Sequence, residues 1–228
     1  MTTYKPLLSE KEIEERKIWQ TKVYQKLKSI REKQLVNVLG KEIIVLPGLF
    51  APVFEDSKFL AQAVRDETKE GDVVLDLGTG TGIQGIFAAE KASKVISVDI
   101  NSVALECAKL NVHHHHLENK ITIFESDLFS NIDEKFDLII FNPPFRWFKP
   151  RDILERGELD ENYSTLNKFF NVAENYLRKK GRILLVFSSS GDLKYLEQLI
   201  SKSIFSSKIV RQETFDKWTY VVYRLSLD

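Results

Sequence analysis

Four short stretches of this chain carry side chains whose types and spacing suit chemistry. Asp76-Leu77-Gly78-Thr79-Gly80-Thr81-Gly82 is a glycine-rich turn directly after an apolar run. Glycine has no Cβ, so such a turn can fold tightly and bring its backbone close to a ligand. Asp99 closes the next apolar run, 23 positions after Asp76. A carboxylate there can accept both hydroxyls of a ribose. Asp127 follows a third run, in Glu125-Ser126-Asp127-Leu128, and Asn142-Pro143-Pro144-Phe145 follows a fourth. The side-chain oxygen of Asn142 and the carbonyl of Pro143 can accept the hydrogens of a planar nitrogen. Two prolines, with φ near about −65°, keep those acceptors in place. An amide or exocyclic amine is a weak nucleophile because its lone pair is delocalised. Rotating and pyramidalising it aims the lone pair at an electrophile, which makes orientation the main task. Phe145 adds a flat apolar face for a planar group.

The elements that must position these residues can be read from periodicity. Ser9 and Glu12 form a capping box. Trp19, Val23, Leu27 and Ile30 then make one apolar face of a helix of roughly seven turns, with Gly40 just past its end. Glu42–Leu46 reads as a strand, and Asp56-Ser57 as the N-cap of a helix through Thr68. From Val73 onward, short apolar runs alternate with helical segments. Strands are expected at Val73–Leu77, Lys94–Val98, Ile121–Phe124, Phe136–Phe141 and Arg182–Phe187. Helices are expected at Ile83–Ala92, Ser102–His115, Ser164–Lys179 and Asp192–Ser203. That rhythm predicts an α/β fold with a parallel sheet covered on both faces. Lys208–Glu213 and Trp218–Leu225 are too close together for a crossover helix and should pair as an antiparallel hairpin. Arg146–Asn162 is left without regular structure, directly after the Asn-Pro-Pro-Phe stretch.

The glycine turn, Asp99, Asp127, Asn142-Pro143-Pro144-Phe145 and the terminal hairpin together resemble class I S-adenosylmethionine-dependent methyltransferases. The resemblance runs from about Phe50 to Leu225. Within that class the chain is similar to the nitrogen-methylating branch with an Asn-Pro-Pro-Phe motif, the HemK-like or methyltransferase small-domain family. It implies a Rossmann-like sheet of seven strands with the last one antiparallel, S-adenosylmethionine as cofactor, and a methyl acceptor that is a protein glutamine or a nucleobase. A small-molecule N-methyltransferase is the alternative, and a non-catalytic cofactor-binding module is disfavoured by the intact motif. By the same resemblance, Asn142, Pro143, Pro144 and Phe145 are catalytic. Cofactor contacts fall on Phe54, Asp76, Gly78, Thr79, Gly80, Gly82, Asp99, Ile100, Asn101, Asp127, Leu128 and Asn142. Asp76 would lie near the methionine amino group, while Asp127 would bond the adenine amino group and Leu128 pack on its ring. Phe54 belongs to Leu46–Leu60, a segment that borders the cofactor in such enzymes. The expected division is an N-terminal helical extension over 1–45, acting as a cap or lid, and a methyltransferase domain over 46–228.

Composition narrows the reading further. The 33 Lys+Arg balance 33 Asp+Glu, so formal net charge is zero, which argues against tight non-specific binding to a nucleic-acid backbone. In Phe145–Arg151, aromatics and three cations occur together, a mixture suited to an unstacked base or to an acidic or aromatic small molecule. The single cysteine, Cys107, excludes an internal disulfide and suits a reducing compartment. No apolar run is long enough to span a bilayer, and the N-terminus has no apolar signal core. Cytoplasmic location without membrane contact is therefore expected, with the oligomeric state left open. His113–His116 end a helix, and only His113 and His116 share a face, so no metal site is expected.

Overall fold

The computed structural model describes residues 4–49 and 55–227. In chain order the elements are α1 (Glu10–Ser29), β1 (Gln34–Val38), β2 (Lys41–Val45), α2 (Glu55–Glu67), β3 (Val73–Leu77), α3 (Ile83–Ala88), β4 (Lys94–Asp99) and α4 (Ser102–His114). They continue with β5 (Ile121–Glu125), β6 (Phe136–Phe141), α5 (Ile153–Arg156), α6 (Ser164–Val172), β7 (Leu177–Ser188), α7 (Leu193–Lys202), β8 (Phe205–Phe215) and β9 (Trp218–Leu227).

Seven strands form one sheet in the order β5-β4-β3-β6-β7-β9-β8. The pairs among β3 to β7 are parallel, and β9 runs antiparallel between β7 and β8. This is the seven-stranded sheet with an antiparallel last strand that the sequence predicts. Helices on both faces explain why the central strands are apolar on both sides. Leu75, Ile139, Ile140 and Leu184 are fully buried. The order reverses at β3. The chain winds outward to β5, then returns to place β6 on the other side of β3. A crevice opens at such a reversal, beyond the carboxyl ends of the strands.

Several boundaries differ from the sequence reading. The capping box holds the start of α1, with Ser9 Oγ accepting from Glu12 N. The helix stops at Ser29, however, well before Gly40. An antiparallel hairpin of β1 and β2 follows, turning through Leu39 (φ 51°) and Gly40 (φ 87°). The Asn37 side chain accepts the Gly40 N–H at 3.1 Å and closes that turn. Helix α2 begins at Glu55, so Asp56 and Ser57 lie inside it rather than at its cap. Helix α6 ends at Val172 and passes through a 3-10 turn, Ala173–Tyr176, into β7, five residues before Arg182. The stretch after the Asn-Pro-Pro-Phe motif is not structureless, since it holds α5 and the 3-10 turn Glu161–Tyr163. Among the described residues, no helix is long and apolar enough to cross a membrane.

Candidate active site

Register brings the two main motifs together. Leu77 of β3 is the direct partner of Phe141 of β6, so Gly78 and Asn142 leave the sheet side by side. Val98 of β4 is paired with Leu77 on the other flank, which puts Asp99 one step along the same edge. A cavity of about 190 Å³ opens there. Its walls include Asp76, Gly78, Thr79, Gly80, Asp99, Ile100, Asn101, Asp127, Leu128 and the run Asn142–Phe145. All of these are residues expected from the sequence. Gly82 is not in the wall, and Phe54 lies outside the described residues.

The glycines serve two purposes. Gly78 (φ 66°) and Gly80 (φ 57°) have left-handed backbones, yet a Cβ on either would meet nothing within 4 Å. Glycine is needed at both for conformation, and the turn borders open space. Gly82 (φ 83°) instead starts α3, where a Cβ would come within 3.2 Å of the Ala108 Cα. Here glycine serves both the left-handed backbone and the close packing of α3 against α4.

Asp76 is buried under the turn. Its Oδ2 accepts from the Thr79 hydroxyl at 2.6 Å and from Gly85 N at 3.1 Å. Burial pushes its carboxyl up to about 6, against the pull of those two donors. Asp99 spans the turn and α4: one oxygen accepts Gly80 N at 3.0 Å, the other Asn101 N at 2.9 Å. Burial raises its pKa as well, opposed by these backbone amides. Asp127 is half-exposed at the rim, with Lys168 Nζ 4.0 Å away.

The raised Asp76 value has a consequence for stability. The folded chain holds this proton more tightly than the unfolded chain does. The stabilisation is complete below pH 3.8 and is lost as pH rises through about 6. Asparagine keeps an oxygen for Thr79 and Gly85 without the charge. Asp76→Asn is therefore expected to gain about 1–2 kcal/mol on the native chain between about pH 4.5 and about pH 8, measured by urea unfolding at both ends. A difference independent of pH would remove burial as the cause.

The loop beyond Phe145 corrects the expectation of a cationic, aromatic acceptor surface. Arg146 is buried in an ion pair with Glu158. Arg151 chelates Glu155 through two nitrogens, at 2.6 and 2.9 Å, and lies over the Tyr24 ring. Trp147 is buried against Tyr4 and Phe148. These side chains build the loop rather than face the cavity. The cavity is lined instead by Ile153, Leu154 and Arg156–Leu159, from α5 and the residues just after it, where the sequence predicts no regular element. Phe145 lines the cavity, and its ring is set edge-on to Phe187 at 5.3 Å.

Helix α1 braces this wall from behind. Gln20 donates to Glu155, Tyr24 donates to Asp152, and Val23 and Leu27 pack with Leu154. Buried Arg16 donates to the Ser189 carbonyl at 2.6 Å. At the far side of the fold, His113 pairs with Glu118 and His115 with the Glu42 carbonyl.

Comparison with known proteins places this arrangement. The family model described as methyltransferase small domain matches residues 41–223. A Methanocaldococcus jannaschii protein named as an N5-glutamine methyltransferase is 34% identical over 176 residues, 72% of this chain and 85% of that protein. The ribosomal RNA small subunit methyltransferase C of Psychromonas ingrahamii is 33% identical over 178 residues. That match takes in 76% of this chain but only 46% of the relative, so this chain spans about half the length of that enzyme. The T. thermophilus 16S rRNA N2 G1207 methyltransferase, solved with AdoMet and guanosine, shares the fold with a TM-score of 0.67 at 24% identity. That superposition covers 86% of this chain and 50% of the other. The chain belongs to the methyltransferase small domain family and is an S-adenosylmethionine-dependent methyltransferase.

Proposed function

We propose that the cavity holds S-adenosylmethionine along Gly78–Gly80, Asp99 and Asp127, and that Asn142 and Pro143 present a planar nitrogen of a macromolecule to it. The observation that carries this reading is the pairing of Leu77 with Phe141, which sets the glycine turn beside the Asn-Pro-Pro-Phe stretch at one cavity. The open space over Gly78 and Gly80 fits a bulky ligand, and Asp99 offers a carboxylate for ribose hydroxyls. S-adenosylmethionine supplies an electrophilic methyl group on a sulfonium. The chain's own task is to orient the nitrogen, with Asn142 and Pro143 as hydrogen-bond acceptors and Phe145 as a fixed apolar wall. Helix α1 serves as a cap over the acceptor side, through its contacts with Asp152–Glu155, whereas the β1–β2 hairpin packs on α4.

Between the two macromolecular acceptors, a protein side-chain amide is favoured over a nucleobase. Two of the three loop cations are taken up by Glu158 and Glu155, which leaves less positive charge for a phosphate backbone. The similarity to the N5-glutamine relative, which takes in 85% of that protein, points the same way. The test is transfer of labelled methyl from S-adenosylmethionine into fractions of a host lysate that lacks the gene. Label in protein supports the amide, and label in RNA replaces it with a nucleobase. Label confined to small molecules overturns the macromolecular reading.

A further inference from the structure

Three successive carbonyls of the acceptor loop are held by one short segment. The Phe145 carbonyl accepts from the Tyr163 hydroxyl at 2.8 Å. The Arg146 carbonyl accepts from Asp160 N at 2.8 Å, and that of Trp147 from Asn162 N at 3.0 Å. Only the first of these bonds uses a side chain. We infer that Tyr163 is a positioning residue for methyl transfer, its hydroxyl fixing the Phe145 carbonyl and through it the Asn142–Phe145 clamp. The inference rests on the reading above that Asn142 and Pro143 present the acceptor nitrogen.

Several independent features converge on that hydroxyl. Tyr163 is fully buried and stacks on Tyr195 at 5.1 Å with rings 14° apart. Its oxygen also accepts from Asp192 N at 2.8 Å. The Asp192 carboxylate in turn accepts from the Tyr4 hydroxyl at 2.6 Å and from Leu7 N at 2.7 Å. A continuous chain of hydrogen bonds thus links the N-terminal segment to the acceptor loop. Burial raises the Tyr163 phenol well above its ordinary value, so it stays a donor.

The backbone here is also strained. Asn162 (φ 56°) and Tyr163 (φ 54°) are consecutive left-handed residues, neither of them glycine. A bulky residue adopts that region only when its surroundings over-determine it. The surroundings do so here. Tyr163 N donates to the Asp160 carbonyl at 2.8 Å, and the Asp160 carboxylate takes the N–H groups of Thr165 and Leu166 at 2.8 and 2.9 Å. Gly191 also lies close to the same carbonyl, for a Cβ there would fall 1.9 Å from the Phe145 oxygen. The Phe145 carbonyl is therefore held by a hydroxyl and crowded by a backbone that admits no side chain.

Tyr163→Phe keeps the ring and removes the grip. Its kcat is expected to fall roughly 10- to 100-fold, the scale of a small misplacement of reacting groups. KM for the acceptor and Kd for S-adenosylmethionine should stay at their native values. Ile183→Val, a change in the β7 core away from the loop, supplies a destabilised control that should keep native kcat. Gly191→Ala crowds the same carbonyl and should reproduce the kcat loss. Tyr163→Phe, which keeps every ring contact, decides the matter, and Gly191→Ala counts only where the chain is folded. Native kcat in a folded Tyr163→Phe or Gly191→Ala chain would overturn the inference, as would a change confined to acceptor KM. Asn142→Ala separates the two claims. If it is inactive while Tyr163→Phe is native, only the role of Tyr163 falls. If Asn142→Ala also turns over normally, the reading of the motif falls with it.

Discussion

Asn142→Ala is expected to bind S-adenosylmethionine as the native chain does and to lose roughly 10²- to 10³-fold in kcat, the range set by removing one preorganised polar contact at a reacting centre. The reason lies in where Asn142 stands. It is the first residue beyond β6, directly beside the residue that follows β3. The strand fixes its Cα and the prolines after it fix the chain direction. Substitution by alanine removes the side-chain carboxamide and leaves the backbone path in place. The glycine turn and Asp99 are anchored on β3 and β4, so cofactor affinity has no cause to follow. Isothermal titration with S-adenosylmethionine and single-turnover transfer to the identified acceptor separate the two quantities. A kcat near native would remove the orienting role. A parallel loss of cofactor affinity would move Asn142 to the cofactor side of the cavity.

The parts of this site legible in the sequence are those fixed locally. Asp76, Asp99 and Asn142 each end a short apolar run, and a parallel sheet puts such ends on one edge. Reading the runs as strands was therefore enough to gather them. The hairpin of β8 and β9 was legible because its turn leaves no room for a crossover. What was missed depends on contacts distant in sequence. The turn between β1 and β2 uses Leu39 at φ 51°, where Asn or Asp is the usual signal, so Gly40 read as a helix end. The start of β7 is masked by Arg178-Lys179-Lys180, charged residues that suit a helix face as readily as a sheet edge. The loop from Phe145 to Arg151 reads as an acceptor surface because most of its partners are invisible in the sequence. Tyr24 and Tyr4 lie close to it only in the folded chain, and Glu158 and Glu155 pair with its cations only once the loop takes its conformation. Composition shows that a cation is present, but whether it is already paired is a property of the fold.

Asp99→Ala is expected to weaken S-adenosylmethionine binding by about 100-fold, about 2.7 kcal/mol. Two contributions enter, and they can be separated. Removing the carboxylate deprives the ribose of its acceptor. It also strips Gly80 N and Asn101 N of their partner, and an unpaired buried N–H costs about 1–3 kcal/mol. The second effect loosens the turn in the free protein as well as in the complex. It would appear as a loss of thermal stability without ligand. A double-mutant cycle isolates the first. The native chain should bind S-adenosylhomocysteine better than an analogue lacking the ribose hydroxyls, by roughly 1–3 kcal/mol, the scale of hydrogen bonds to a charged group. In Asp99→Ala that preference should vanish, although both ligands bind weakly. If the alanine chain still discriminates between the two ligands, the ribose is recognised elsewhere. Asp99 would then act only by tying the glycine turn to the start of α4.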